Sequence, residues 1–103
     1  MKARSLGLAS EDLSTLLKIF RRYAPRGAIW AFGSRARGTF RPFSDLDLAL
    51  INRKPLDALR RAELRYALSE SSLPVKVDVV EWARTSPDFR QIIQRDHLVI
   101  RTA

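Results

Sequence analysis

Two aspartates stand one residue apart in the segment GSRARGTFRPFSDLDLAL, residues 33–50. The alternation of Asp45 and Asp47 with apolar leucines predicts that both carboxylates point to one face of a strand and the leucines point into the core. Carboxylates so close repel each other, and a bound divalent cation offsets that repulsion. Hard oxygen ligands suit Mg²⁺, which usually keeps water and substrate phosphates in its shell. The pair therefore predicts a metal site for phosphoryl or nucleotidyl transfer, for which two such ions are typical.

The start of the same segment carries groups that could hold a phosphate. Gly33 and Ser34 follow a short apolar run and are expected to open a helical turn. Unpaired backbone N–H groups at the start of such a turn can bind phosphate oxygens. Glycine permits close approach, Ser34 adds a hydroxyl donor, and Arg35 or Arg37 adds positive charge. We therefore predict that these four residues bind the phosphates of a nucleotide.

A third carboxylate lies further along the chain, in the β-branched run VKVDVV at residues 75–80. A charge among valines is costly unless a partner compensates it. If this run forms a strand beside Asp45 and Asp47, Asp78 can share the metal or accept the proton of an attacking hydroxyl. Plainer interpretations exist, since Asp-x-Asp also occurs at exposed strand starts and Asp78 could pair with Lys76. The combination on one chain favours the chemical interpretation.

The spacing of apolar residues predicts an alternation of helices and strands around these motifs. The predicted order is a helix that Ser10 caps and that ends before Pro25, strands over Ala28–Phe32 and Leu46–Ile51, a helix over 55–69, a strand over Val75–Val80, a helix opened by Ser86 and Pro87, and a short edge strand at HLVIR. Such an alternation favours an α/β domain in which helices pack on a small sheet.

Length and composition limit the classes of protein that the chain can represent. Its 103 residues suit a single domain over 1–103, and a hydrophobic fraction of 46% is enough for a core. There is no cysteine, which excludes thiolate metal sites and thiol nucleophiles. Nineteen Lys and Arg against eleven Asp and Glu give a net charge of +8, which attracts polyanionic ligands or an acidic partner. No apolar stretch approaches a membrane span, so we expect a soluble, cytoplasmic protein without membrane contact.

The motifs together resemble the signature of the nucleotidyltransferase superfamily that includes DNA polymerase β. The resemblance is specific over residues 30–50, where the chain reads Gly33-Ser34-x-Ala36-Arg37-Gly38 and then Ser44-Asp45-x-Asp47-Leu48. It extends more loosely to Asp78 and the last helix. The extended pattern is most similar to the minimal nucleotidyltransferases, or MNT proteins, which are small prokaryotic proteins of about this size. The resemblance implies an α/β (α+β) fold, a small mixed β-sheet with helices packed on it.

The resemblance also implies a role for each motif residue. Ser34 and the backbone of Gly33 would bind the terminal phosphates of the nucleotide. Asp45 and Asp47 would bind two Mg²⁺ ions, and Asp78 would complete the site as a third ligand and catalytic residue that helps to activate the acceptor. All three acidic positions are filled in this chain, so the resemblance implies an active enzyme.

MNT proteins are paired with a small all-helical HEPN protein, which is often a ribonuclease toxin, and some transfer AMP from ATP onto a tyrosine of that partner. The resemblance therefore implies an ATP-dependent antitoxin with a HEPN toxin as its partner. An alternative is an antitoxin that neutralises its toxin by contact alone. A second alternative is a nucleic-acid-binding module, because FRPF at residues 40–43 interleaves aromatic and basic residues. We expect instead that Phe40 and Phe43 pack the loop against the core, and that nucleic acid is not a partner.

Overall fold

The computed structural model describes residues 6–103, and this part of the chain holds four α-helices and four β-strands. The helices are α1 (Ser10–Tyr23), α2 (Ser34–Arg37), α3 (Ala58–Ser69) and α4 (Pro87–Arg95), and the strands are β1 (Ala28–Phe32), β2 (Leu46–Ile51), β3 (Val77–Glu81) and β4 (His97–Arg101). A 3₁₀ turn over Trp82–Arg84 links β3 to α4. Within residues 6–103, no helix has both the length and the apolar character that crossing a bilayer requires.

The strands form one mixed sheet in the order β3-β2-β1-β4. β1 is antiparallel to both β2 and β4, whereas β3 is parallel to β2. A parallel pair needs a crossover connection, and α3 supplies it between β2 and β3. The predicted α/β (α+β) class, a small mixed β-sheet with helices packed on it, is confirmed.

Two apolar layers enclose the sheet, because successive side chains of each strand point to opposite faces. On one face, α1 and α3 pack onto the strands through the buried residues Leu16, Phe20, Leu64, Leu68, Ile29, Leu46, Leu48 and Leu50. On the other face, α4 packs Ile93 and Phe89 against Phe32 and Ala49. α4 has only nine residues, and the side chains of Asp47, Asp78 and His97 lie on this second face.

Two helices begin at other residues than the sequence predicts. α3 begins at Ala58 rather than at residue 55, because the Asp57 carboxylate accepts a hydrogen bond of 2.8 Å from the Arg60 N–H and caps the helix there. α1 includes Ser10 as its first residue, and its cap position is Ala9, which offers no side-chain acceptor. The expected capping role of Ser10 is therefore wrong.

A buried carboxylate connects the end of β3 to the start of α3. Glu81 is only 6% exposed. It accepts hydrogen bonds from the Leu56 N–H at 2.6 Å, the Asn52 amide at 3.1 Å and the Arg61 guanidinium. Burial favours the neutral acid, but the hydrogen bonds, with Arg61 first, outweigh it and lower the pKa of Glu81. This network fixes the crossover connection and, with it, the register of β3.

Candidate active site

One row of paired residues crosses the sheet on the face that α4 partly covers. Asp47 of β2 pairs in register with Asp78 of β3 on one side and with Phe32 of β1 on the other. Phe32 in turn pairs with His97 of β4. Directly paired residues share a face of the sheet, so all four side chains lie on the same face. The structure thus brings Asp78 beside Asp47, the arrangement that the chemical interpretation requires.

The two aspartates of the Asp-x-Asp pair lie at the beginning of β2. Asp47 is the second residue of the strand and is half-buried, whereas Asp45 lies one residue before the strand and is exposed. The strand begins at Leu46, whose N–H donates to the Lys76 carbonyl at 2.8 Å. This bond ties the aspartate pair to the strand that carries Asp78.

Like charges are crowded around Asp47. Burial is the main cause that raises the pKa of Asp47, and the carboxylates of Asp78 and Asp45 raise it further. The Arg37 guanidinium opposes them and lowers the pKa, but it does not reverse the net rise. A raised pKa here means that the ionised carboxylate is destabilised by its surroundings. A cation placed between the carboxylates would remove that destabilisation.

Gly33 lies directly against the Asp47 carboxylate. Its backbone has φ +75° and ψ −153°, a conformation that is essentially restricted to glycine. A Cβ atom added at Gly33 would lie 2.7 Å from Oδ2 of Asp47, which is closer than non-bonded contacts allow. The glycine therefore leaves room for the carboxylate of the site, in addition to any room it leaves for a phosphate.

Ser34 and Arg37 belong to the single helical turn that follows Gly33. Ser34 is half-buried and Arg37 is exposed. The Arg37 N–H donates to the Gly33 carbonyl at 3.1 Å, which closes the turn. Since Arg37 also lowers the pKa of Asp47, its guanidinium lies on the side of the aspartates. Gly33, Ser34 and Arg37 thus lie close to Asp47 in the fold as well as along the chain.

Arg35 lies elsewhere than the sequence predicts. Its side chain is 1% exposed and points into the protein rather than to the aspartates. The guanidinium donates to the Leu6 carbonyl at 2.6 Å, the Pro42 carbonyl at 3.3 Å and the Ser44 carbonyl at 2.9 Å. It also lies over the Phe40 ring, 4.7 Å from the centroid. Backbone carbonyls thus accept the hydrogen bonds of the Arg35 guanidinium. The prediction that Arg35 contacts nucleotide is therefore corrected, and Arg35 instead holds the loop that leads to Asp45.

The loop before β2 is held by hydrogen bonds and by one of its two phenylalanines, Phe40. The Ser44 hydroxyl accepts from the Arg41 N–H at 2.8 Å, and the Arg41 carbonyl accepts from the Ser44 N–H at 3.0 Å. Phe40 packs on Arg35, as expected for a residue that fixes the loop. Phe43 is 89% exposed, so the expectation that it packs against the core is wrong.

His97 lies in the same row of paired residues as Asp47. Its ring stacks on Trp30 with 4.1 Å between ring centroids, and Trp30 also contacts Trp82 edge to face. These rings form an aromatic floor next to Phe32. Pairing across four strands brings His97 there from the end of the chain, and no local pattern in the sequence signals it.

The carboxylates fit a divalent cation in chemistry, although they are not already gathered around one. In the described part of the chain, no three acidic or histidine side chains converge as a formed metal site. Asp78 instead forms an ion pair with Lys76 at 3.5 Å. Asp45, Asp47 and Asp78 nevertheless supply only hard oxygen ligands, and burial together with the two neighbouring carboxylates raises the pKa of Asp47. This donor set suits Mg²⁺ rather than a softer metal.

Comparison with known proteins gives a consistent result. The family described as "Polymerase beta, Nucleotidyltransferase" matches residues 14–103. A curated relative from Haemophilus influenzae, named "Probable protein adenylyltransferase MntA", is 47% identical over 96 residues, which cover 93% of this chain and 84% of the relative.

Solved structures agree with these sequence matches. A toxin–antitoxin complex with AMP-PNP contains a chain that is 28% identical, with a TM-score of 0.74 over 88% of this chain and 73% of that one. A structure described as a minimal nucleotidyltransferase is 32% identical, with a TM-score of 0.67 over 95% of both chains. The match thus extends from the motif to the whole described fold.

Proposed function

The chain belongs to the polymerase β nucleotidyltransferase family, and on that premise we propose that it transfers AMP from ATP to a tyrosine hydroxyl of a HEPN toxin and so acts as its antitoxin. The relative that is 47% identical is named as an adenylyltransferase. A similar solved structure is a toxin–antitoxin complex with an ATP analogue. One observation of this chain carries the proposal: Asp47 is crowded by Asp45 and Asp78 and lies against Gly33. Carboxylates crowded in this way lower the stability of the fold, and such groups cluster at functional sites.

The phosphate-binding role is assigned to three residues. The N–H groups of the turn at Gly33 and Ser34, with the Ser34 hydroxyl, would bind the terminal phosphates of ATP. Arg37 is exposed and lies close enough to lower the pKa of Asp47. Its guanidinium would thus neutralise phosphate charge beside the aspartates. Arg35 is left out of this set, because its guanidinium is buried and bound to the loop.

We assign Asp78 to the activation of the acceptor hydroxyl. In the transfer, a bond forms between the acceptor oxygen and the α-phosphorus, the bond from that phosphorus to the β-phosphate bridging oxygen breaks, and pyrophosphate leaves. The proton of the attacking hydroxyl needs a base, and Asp78 lies beside Asp47 on β3, which is the outermost strand of the sheet within residues 6–103. Its side chain is 44% exposed, so a hydroxyl of another protein can reach it.

Metal use is part of the same proposal. Asp45 and Asp47 would hold two Mg²⁺ ions, with Asp78 as a further ligand. When bound, the ions stabilise the negative charge that develops on the transferred and leaving phosphates. The site would work in the cytoplasm, where ATP is available, within a single domain over 1–103.

A matched pair of measurements tests the assignment of Asp78. Asp78→Asn keeps the shape of the side chain and removes the charge that holds metal and takes a proton. We expect that the variant still binds the HEPN partner in a pull-down but no longer adds AMP to it, whereas wild type does both. Full transfer by Asp78→Asn would remove Asp78 from the mechanism.

A contact-only antitoxin is the second candidate, and one observation favours it. Among residues 6–103 the three carboxylates are not drawn together, and Asp78 is paired with Lys76. If wild type binds the toxin and inhibits it fully without any change in the mass of the toxin, this second function is the correct one.

A further inference from the structure

Strand β3 leaves a free edge beside the candidate active site. In the described residues β3 is the last strand of the sheet, and β2 is its only neighbour. The Lys76 carbonyl accepts from the Leu46 N–H at 2.8 Å, so the backbone groups of even-numbered residues in this segment face β2. Successive residues of a strand direct their backbone groups to opposite sides. The N–H and C=O groups of Val77 and Val79 therefore face outward, where a further strand could pair with them.

A groove of 790 Å³ follows this edge. Its lining combines Val77 and Val79, which pack with the core under α3, with Asp78 and Val80, which lie on the other face. Side chains from both faces can line one groove only where the groove runs along the strand edge. Arg65 of α3 also lines this groove.

The groove continues toward the start of α4. A second cavity of 360 Å³ shares Arg65, Val79 and Val80 with the first and reaches Arg84 and Phe89. Together the cavities follow residues 75–81, a length of about 20 Å in extended conformation. An extended peptide of about seven residues would fill it.

The charges along this groove select the kind of peptide. Arg65, Arg84 and Lys76 are exposed. Of the acidic residues in the lining, Glu81 is buried and already bonded to Arg61, which leaves Asp78 as the accessible carboxylate. Lys76 pairs with Asp78 at 3.5 Å, and Arg84 lies 3.7 Å from Glu81, whose charge Arg61 already compensates. The lining of the two cavities therefore keeps an excess of positive charge, which Arg65 and Arg84 carry.

We propose that the free edge of β3 binds, as an added β-strand, an extended acidic segment that lies outside the helices of the partner protein, and that this segment carries the hydroxyl that receives AMP. The proposal rests on the proposed function for the identity of the partner. Backbone bonds to Val77 and Val79 would give affinity, and acidic side chains would meet Arg65 and Arg84. A strand paired with β3 brings its side chains next to Asp78 without any movement of the sheet.

Amide hydrogen exchange tests the added strand directly. We expect the N–H groups of Val77 and Val79 to exchange quickly in the free protein and to be strongly protected in the complex with its HEPN partner. The Asp78 and Val80 amides, which face β2, serve as internal references and should be protected in both states. Equally fast exchange of Val77 and Val79 in the free and bound protein would overturn the proposal.

Charge reversal tests the acidic character of the segment. Arg65→Glu should weaken binding of the HEPN partner by about tenfold at low salt, and the loss should shrink at high salt. Lys18→Glu is the matched control, because Lys18 is an exposed cation on α1, away from the groove. Equal weakening by both variants would show a general charge effect and contradict the groove.

Both measurements report binding and do not depend on catalysis. If wild type transfers AMP while Val77 and Val79 stay unprotected, the docking proposal fails and the proposed function stands. If the two amides become protected while no AMP is transferred, the docking proposal stands and the proposed function fails.

Discussion

At the scale of single residues, the electrostatics of the site depend on Asp47. Its carboxylate is half-buried between two others and has one guanidinium, Arg37, to compensate it. Such an arrangement opposes folding above the pKa of the group, because the native state holds the proton more tightly than the unfolded chain does. The chain tolerates this cost at a position where the proposed function needs negative charge.

The first prediction follows from the raised pKa of Asp47. Asp47→Asn should raise the thermal midpoint of the metal-free protein at neutral pH, because it removes a charge that the fold disfavours. The gain should disappear on acidification below the ordinary pKa of 3.8, where Asp47 is protonated in both states. The same variant should lose AMP transfer by about a hundredfold or more, since a metal-held charge supplies several kcal/mol. Thermal melts across pH, with and without Mg²⁺ and ATP, check both parts.

The second prediction concerns Gly33. Gly33→Ala should destabilise the protein by about 1–3 kcal/mol because of its positive φ, and should also displace the Asp47 carboxylate, so that Mg²⁺ and ATP no longer raise the thermal midpoint. Gly38→Ala is the control, because Gly38 has φ +77° but a Cβ there would meet nothing within 4 Å. Loss of the ligand response in both variants would refute a specific contact at Gly33.

Arg35 marks the limit of prediction from the sequence at this scale. An arginine after a Gly-Ser turn is read as a phosphate ligand, and the sequence offers no sign that its guanidinium turns inward. Its burial depends on where the chain places the carbonyls of Leu6, Pro42 and Ser44, which only the folded loop determines. The glycine, the serine and the Asp-x-Asp pair could be recognised because their spacing along the chain is local, whereas Asp78 depended on the expectation that its strand lies beside theirs.

The third prediction tests the role of Arg35. Arg35→Lys should destabilise the protein by about 1–3 kcal/mol, since a lysine cannot reproduce the several bonds of the guanidinium. It should also raise the Mg²⁺ concentration needed for half-maximal AMP transfer, because the loop positions Asp45. Arg101→Lys is the control: Arg101 likewise donates to the carbonyls of Ala24 and Gly27, away from the site. An equal Mg²⁺ requirement in both variants would leave Arg35 a purely structural residue.

At the scale of elements, the sequence predicts both ends of a strand correctly where turn-forming residues flank it. β1 lies between Gly27 and Gly33, and its predicted limits are those observed. β3 was predicted over Val75–Val80 and is observed over Val77–Glu81. The shift follows from pairing: Leu46 pairs with Val77 at the start of β2, and Glu81 pairs with Leu50. Such a partner lies far along the chain, so local residue preferences cannot set these bounds.

The fourth prediction belongs to the connection between β3 and α3. Glu81→Gln should destabilise the protein by about 1–3 kcal/mol at neutral pH, because it removes a charged acceptor from Arg61 and Leu56. The pKa of Glu81 is lowered, so the stability it contributes is present above its ordinary pKa of 4.5 and is lost as pH falls below that value through the lower pKa of the native state. The difference in unfolding free energy between wild type and Glu81→Gln should therefore narrow below pH 4.5.

Urea unfolding at several pH values measures this difference. Glu63→Gln is the control, because Glu63 is 42% exposed and its ion pair with Arg60 spans 4.0 Å. We expect Glu63→Gln to change stability little at any pH. A similar loss for both glutamates would contradict a special role of Glu81.

At the scale of the whole molecule, the proposed function pairs a nucleotide site on this chain with an acceptor hydroxyl on a partner. Its net charge of +8 and its cationic groove along β3 suit an acidic protein surface. The carboxylates of the site are the exception to that charge, and their place on the sheet next to a free edge allows the partner to approach them. Fold, charge and site thus agree with a two-protein reaction.

Transfer of label from ATP to the HEPN partner tests the central claim most directly. The wild-type chain, the partner and Mg²⁺ are incubated with ATP that carries a radiolabel either at the α-phosphate or at the γ-phosphate. Adenylyl transfer predicts that the partner is labelled from the α-phosphate only, and that Asp47→Asn abolishes the label. Label from the γ-phosphate, or no label from either position while the toxin is still inhibited, would contradict the account.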